Sequence, residues 1–141
     1  MADPSEVDEA VVDKLTAASA LMAIFTDGVF FDVAPPGKTK FVIVSLIIGQ
    51  DEDVFDEEDA AIQTRLYLVK AVEKTTSGTN VKRGAALIHA ALQKQALAIE
   101  GYDHMVTKRV EPVRFTEVDE DTDERWQHRG GRYEVMVSSR S

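Results

Sequence analysis

The sequence predicts an α+β fold: an antiparallel or mixed sheet of four or five strands, two amphipathic helices on one face, and a long late β-hairpin. Three observations carry that expectation. Apolar residues near the N-terminus recur at helical spacing, and a β-branched run follows whose parities are both apolar. Two strand-like stretches close the chain on either side of an acidic segment.

The elements follow in order. Val7, Val11, Leu15, Ala18, Met22 and Phe25 recur at steps of three or four, which predicts one amphipathic helix of about five turns. Ser5 and Asp8 have the spacing of a capping box at its start, and Asp27-Gly28 ends it, because glycine accepts the left-handed conformation past a helix. After the short apolar stretch Val29 to Val33, Pro35-Pro36-Gly37 predicts a rigid turn. Phe41 to Ile48 reads as a central strand covered on both faces, and an acidic loop, Asp51 to Asp59, follows. Ile62 to Val72 reads as a second strand. One of its faces carries Ile62, Thr64, Leu66 and Leu68; the other carries Gln63, Arg65, Tyr67 and Val69 and is expected to meet solvent or a partner in part. Thr75 to Asn80 is a loop. A second helix is expected from Val81 to about Glu100, closed by Gly101. His104 to Val118 is a strand whose Pro112 marks an edge or a bulge, and Arg125 to Ser139 is its partner, with Gly130-Gly131 as a bulge that resets the side-chain faces.

With 141 residues, 44% hydrophobic and 29% charged, the chain is expected to be a single domain, 1–141. Such a chain buries roughly two-thirds of its unfolded surface and needs no covalent staple. It has no cysteine, which excludes thiolate zinc sites, thiol catalysis and disulfides. The apolar run Phe41 to Ile48 falls far short of the roughly 20 residues a membrane helix requires. The acidic N-terminal stretch lacks the basic and apolar regions of a secretory signal, so a cytoplasmic origin is expected.

Charge is distributed unevenly. Of 25 acidic residues, seven lie within Asp51 to Asp59 and six within Glu117 to Glu124; the remaining 12 acids against 16 bases leave a body of +4. The net charge of -9 gives no support to general nucleic-acid binding.

Motifs that resemble chemistry are incomplete. Gly37-Lys38-Thr39 imitates the end of a phosphate-binding loop, but Asp32 stands where its first glycine belongs and a strand follows instead of a helix. Asp119, Asp121 and Asp123 match the first ligands of an EF-hand loop, yet Glu124 and Gly130 replace its glycine and bidentate glutamate. His89, His104 and His128 are too far apart in sequence to form a paired metal motif, and read as surface or internally satisfied residues. Arg125 to Arg132 mixes bases with Trp126, the composition of a nucleic-acid contact, but the adjacent acids repel phosphate. Lys82 and Arg83 oppose the dipole of the second helix, which hints at a partner's carboxylate. No enzymatic activity, cofactor or metal is expected.

The order of elements is more informative. A first helix running into LMAIFTDGVFFDVAPPGKT, the strand FVIVSLIIG, an acidic loop, the strand AIQTRLYLVKAV leading to an alanine-rich helix, and a late hairpin ending in RYEVMVSS together resemble the tail terminator, or tail completion, proteins of long-tailed bacteriophages. The resemblance runs from about Leu15 to Val137. It implies a structural virion protein that forms a ring, typically of six subunits, at the head-proximal end of the tail tube. There it ends tube polymerisation and offers the joining surface for the head. The implied partners are other copies of the chain, the tail tube protein and the head connector or stopper protein, with genomic DNA passing through the ring without sequence-specific binding and no membrane involved. The implied location is the virion tail or neck, and the host cytoplasm during assembly.

Candidate interface residues are Asp51, Glu52, Asp53 and Asp56 in the first acidic loop, Lys82 and Arg83 on the second helix, and Arg125, Trp126, Arg129 and Arg132 on the last strand. A connector or stopper protein of the neck, or a small ligand-binding domain or enzyme with a cleft between helices and sheet, are the alternative readings.

Overall fold

The computed structural model describes residues 3–52 and 62–140, the side chains of 50–52 excepted. Asp53 and Asp56 lie outside the described residues. The chain runs α1 (Ser5–Thr16), α2 (Ser19–Ile24), β1 (Val29–Phe31), β2 (Lys40–Glu52), β3 (Ile62–Lys74), α3 (Thr79–Leu92), β4 (Tyr102–Asp119) and β5 (Glu124–Ser139). The five strands form one mixed sheet in the order β1-β2-β3-β5-β4, parallel between β1 and β2 and antiparallel elsewhere. The expected fold class is therefore observed, with three helices where two were expected.

The first helix is broken. Thr16 Oγ1 donates to the carbonyl of Val12 at 2.8 Å, a local bond that competes with helix propagation, and Ala18 is extended at ψ 92°. The break turns the chain so that Leu15, Leu21 and Phe25 all reach full burial. The capping box is not formed either: Pro4 occupies the N-cap, and the Ser5 amide donates to Asp3 Oδ1 at 3.0 Å. Past α2, Gly28 (φ 100°) and Gly37 (φ 89°) occupy the left-handed positions that their turns require. Asp27 ties this region together, accepting the amides of Thr39 and Lys40, and those bonds hold its carboxyl below the usual carboxylate range.

The third helix is shorter than its apolar pattern. It stops at Leu92, because Lys94 turns left-handed (φ 55°) and donates its amide to Thr107 on β4 at 2.8 Å. Leu97 and Ile99, which continue the helical spacing, are buried from an irregular segment instead. Strand β2 is longer than its apolar run: Asp51 and Glu52 pair with Gln63 and Ile62, since ladder bonding between antiparallel backbones does not depend on side-chain burial.

The helices cover one face of the sheet, and the core lies between them. It is built from Val7, Val11, Leu15, Ile88 and Leu92 against Val44, Val69, Tyr133, Val135 and Val137. This reverses one expectation. The β3 face carrying Gln63, Arg65, Tyr67 and Val69 is the buried one, and the face carrying Leu66 and Leu68 is half-open. Burial is possible because the polar atoms meet partners. Arg65 reaches the Asp8 carboxylate of α1 at 3.0 Å and Tyr67 Oη at 3.0 Å; Tyr67 in turn donates to Asp8. Gln63 Nε2 donates to Tyr102 Oη at 3.1 Å. This ion pair, buried at Arg65 and half-buried at Asp8, pins α1 to the sheet, and a buried charge that loses its partner costs up to about 3–5 kcal/mol.

Gly130-Gly131 is not a bulge against β3. The β3–β5 register runs unbroken from Ile62↔Ser138 to Lys74↔Trp126. The interruptions lie on the other side, in β4, between His104 and Val106 and between Arg109 and Glu111. Pro112 sits in this edge strand, where its missing N–H costs no ladder bond to a further strand.

Candidate interaction surface

The long hairpin shapes this surface. Beyond the second interruption β4 and β5 stay in register, pairing Glu111↔Arg132, Arg114↔Arg129, Phe115↔His128 and Glu117↔Trp126 up to Asp119↔Glu124. The tip is the four-residue loop 120–123, with Asp123 left-handed at φ 57°. Almost every residue of β4 from Lys108 onward is exposed.

Of the exposed large apolar side chains, Met105, Val110, Phe115 and Val118 belong to the edge strand β4 and Phe31 to β1 at the opposite edge, while Ile47 and Ile48 lie on β2 and Val33 follows β1. Met105 and Val110 are the extra residues at the two interruptions. A protruding edge that presents apolar side chains and unpaired backbone groups favours pairing with another chain.

On the face away from the helices lies an aromatic and ionisable cluster. Trp126 packs near Phe41 (ring centroids 6.3 Å), which meets Phe30 edge-on at 6.0 Å. Phe115 stacks on His128 at 4.2 Å, and the Lys70 ammonium lies 4.6 Å from the Phe115 ring centre. Glu117 contacts the His128 imidazole from the exposed side. Burial, helped by Lys70, lowers the His128 pKa, with Glu117 opposing. Burial also lowers those of His89 and His104, Arg109 adding to the effect at His89.

All three histidines thus favour the neutral form in the folded state. Their stabilisation is present above the ordinary value of 6.5 and is lost as pH falls through the lowered folded values. Urea midpoints measured from above that value down into the mildly acidic range are expected to decline. A midpoint constant across that window would contradict the assignment.

On the helix side, α3 and the hairpin enclose a groove formed by two adjoining hollows of about 430 Å³ and about 550 Å³. Lys82, Arg114 and Arg129 line both, and none of the three makes an ion pair with another described residue. Arg109 extends the basic lining at the far end beside His89, where both approach the Tyr133 hydroxyl, His89 Nδ1 at 3.0 Å. Burial pushes the Tyr133 hydroxyl up to about 12.

The candidate residues therefore separate. Lys82 and Arg129 meet in the groove, and Arg83 is exposed beside Lys82 on α3. Arg125 stands at the tip 4.0 Å from Asp123, Trp126 packs on the opposite face, and Arg132 pairs with Glu111 at 2.9 Å. Asp51 and Glu52 sit at the far end of β2. Arg109 and Arg114 complete the groove and were missed by sequence reasoning. The signal for Arg114 was the hairpin register: once the tip is set at 120–123, Arg114 must oppose Arg129. Among the described residues no group of three or more histidine, aspartate or glutamate side chains is placed to hold a metal, and no helix is long and apolar enough to cross a membrane.

No known family matches the chain by sequence, and no curated protein does. Solved structures do. A chain from the virion of a native gene transfer agent (GTA) particle superposes with a TM-score of 0.64 at 21% identity, covering 91% of this chain and 92% of that one. A second structure, of a protein without a functional name, matches with a TM-score of 0.55 at 12% identity over 94% of this chain and 95% of its own. What these likenesses establish is a shared fold.

Proposed function

We propose that the chain is a structural protein of a virion, and within it a tail terminator: a subunit of a ring, typically of six, that ends tail-tube growth at the head-proximal end and presents the surface to which the head is joined. The observation that carries this reading is the fold shared with a chain of the GTA virion, nearly end to end in both. The element order that resembles tail terminators points the same way. Its partners are then further copies of itself, the tube protein and the head connector or stopper, and DNA passes through the lumen without base readout.

The surface suits that work. Two sheet edges bearing apolar side chains, together with separate acidic and basic regions, allow head-to-tail contact between identical subunits, which closes into a ring when the rotation permits. Residues for chemistry are not required by such a role.

Mass photometry of the purified chain at micromolar concentration, with and without tube protein, tests this. A closed species of one defined stoichiometry is expected in at least one condition. A monomer in both contradicts the ring.

A further inference from the structure

Among the described residues, three carboxylates and three bases make no ion pair on opposite parts of the hairpin region. In the groove, Lys82, Arg114 and Arg129 converge from α3, β4 and β5 without an acidic partner among the described residues. At the tip, part of the charge is already neutralised, since Lys74 holds Glu124 at 2.8 Å and Arg125 stands near Asp123. Asp119, Glu120 and Asp121 remain exposed and make no ion pair with a described residue; Asp119 only accepts the amide of Asp121 at 3.0 Å.

The two sets cannot satisfy each other within one copy. Arg114 and Arg129 oppose each other five residue pairs behind Asp119↔Glu124, a separation of about 17 Å along a continuous ladder. The paired strands hold the tip pointing away from the groove. Both charge sets are thus free for a contact between copies, and such a contact is heterologous: tip on one side, groove on the other.

We propose that the basic groove between α3 and the β4–β5 hairpin receives the acidic hairpin tip of a second copy of this chain. Asp119, Glu120 and Asp121 of the incoming tip meet Lys82, Arg114 and Arg129. Ala85 and Ala86 on α3 keep the groove wall low enough for a hairpin loop to enter. The proposal rests on reading the chain as a self-assembling virion subunit, and specifies how neighbouring subunits meet.

Two full-length variants test it. One carries Lys82→Glu, Arg114→Glu and Arg129→Glu; the other carries Asp119→Lys, Glu120→Lys and Asp121→Lys. Circular dichroism confirms folding, and the milder pair Arg114→Gln with Arg129→Gln stands in should the triple reversal fail to fold. By sedimentation velocity at low ionic strength, the wild type is expected to self-associate. Each reversed variant alone loses that association by about 100-fold or more. Mixed together, the two co-assemble in a one-to-one ratio, because the native tip of the first fits the native groove of the second and the reversed groove accepts the reversed tip.

Association that survives both reversals, or a mixture that stays monomeric, overturns the contact and leaves the ring reading to other surfaces. A wild type that never self-associates also overturns it. A short duplex DNA bound by the wild type and lost by the groove variant replaces the tip with a polyanion. The tail-terminator reading is decided separately, by the lengths and attachment of tails made without the chain.

Discussion

Gly130→Ala is expected to lower the melting temperature by about 6–12 °C. A Cβ at this position would lie 1.9 Å from the carbonyl oxygen of Val69 and 2.6 Å from the Cα of Lys70. Both are backbone atoms of the central strand β3, paired on its other side with β2, so neither can move without opening a ladder. Overpacking in a well-packed interior costs about 1–3 kcal/mol where side chains can shift, and more where only backbone can. At about 3 kcal/mol or above, a domain of this size loses roughly 2–4 °C per kcal/mol. Gly84→Ala offers a comparison. There a Cβ meets the buried Phe25 ring at 2.4 Å and Ala71 Cβ at 2.8 Å, so the helix α3 must lift slightly from the sheet. Gly78→Ala is the control: nothing lies within 4 Å, and it should melt with the wild type. Thermal unfolding of the three variants checks the series, and a Gly130→Ala protein as stable as the wild type contradicts the close β3–β5 approach.

That approach also marks where sequence reasoning reached its limit. A glycine pair inside a strand signals either a bulge or a close contact of backbones, and local pattern does not separate the two. Here the contact was the correct reading. The identity of four strands was legible because β-branched and alternating runs are local signals: β2, β3, β4 and β5 appear where the pattern puts them, while β1 read only as a short apolar stretch. Helix ends were less legible. The spacing of Ala18, Met22 and Phe25 continues that of Leu15, yet the chain breaks at Ala17 and Ala18 because burying Phe25 against Gly84 is a tertiary demand. Likewise Leu97 and Ile99 are core residues whose helical spacing survives without a helix.

The burial of Arg65 and Gln63 was hidden for another reason. Their partners Asp8 and Tyr102 are distant in sequence, and a polar face is buried only where such partners arrive. The candidate surface was legible as composition and not as geometry. Arg129 and Lys82 were singled out by charge, but their convergence with Arg114 depends on the register of the hairpin and on α3 lying beside it.

The second large effect concerns the particle. A subunit that ends tube growth must bind the tube end more favourably than the next tube ring does; without it, addition continues until tube protein runs out. In the proposed role it would also supply the surface that the head meets, so its loss would uncouple two assemblies at once. Particles produced without the chain are therefore expected to yield filled heads and separate tails, the tails irregular in length and often too long. Negative-stain electron microscopy of lysates from cells lacking this chain measures both properties in one field. Unattached heads beside overlong tails are the predicted result; tails of uniform normal length, already joined to filled heads, would contradict the account.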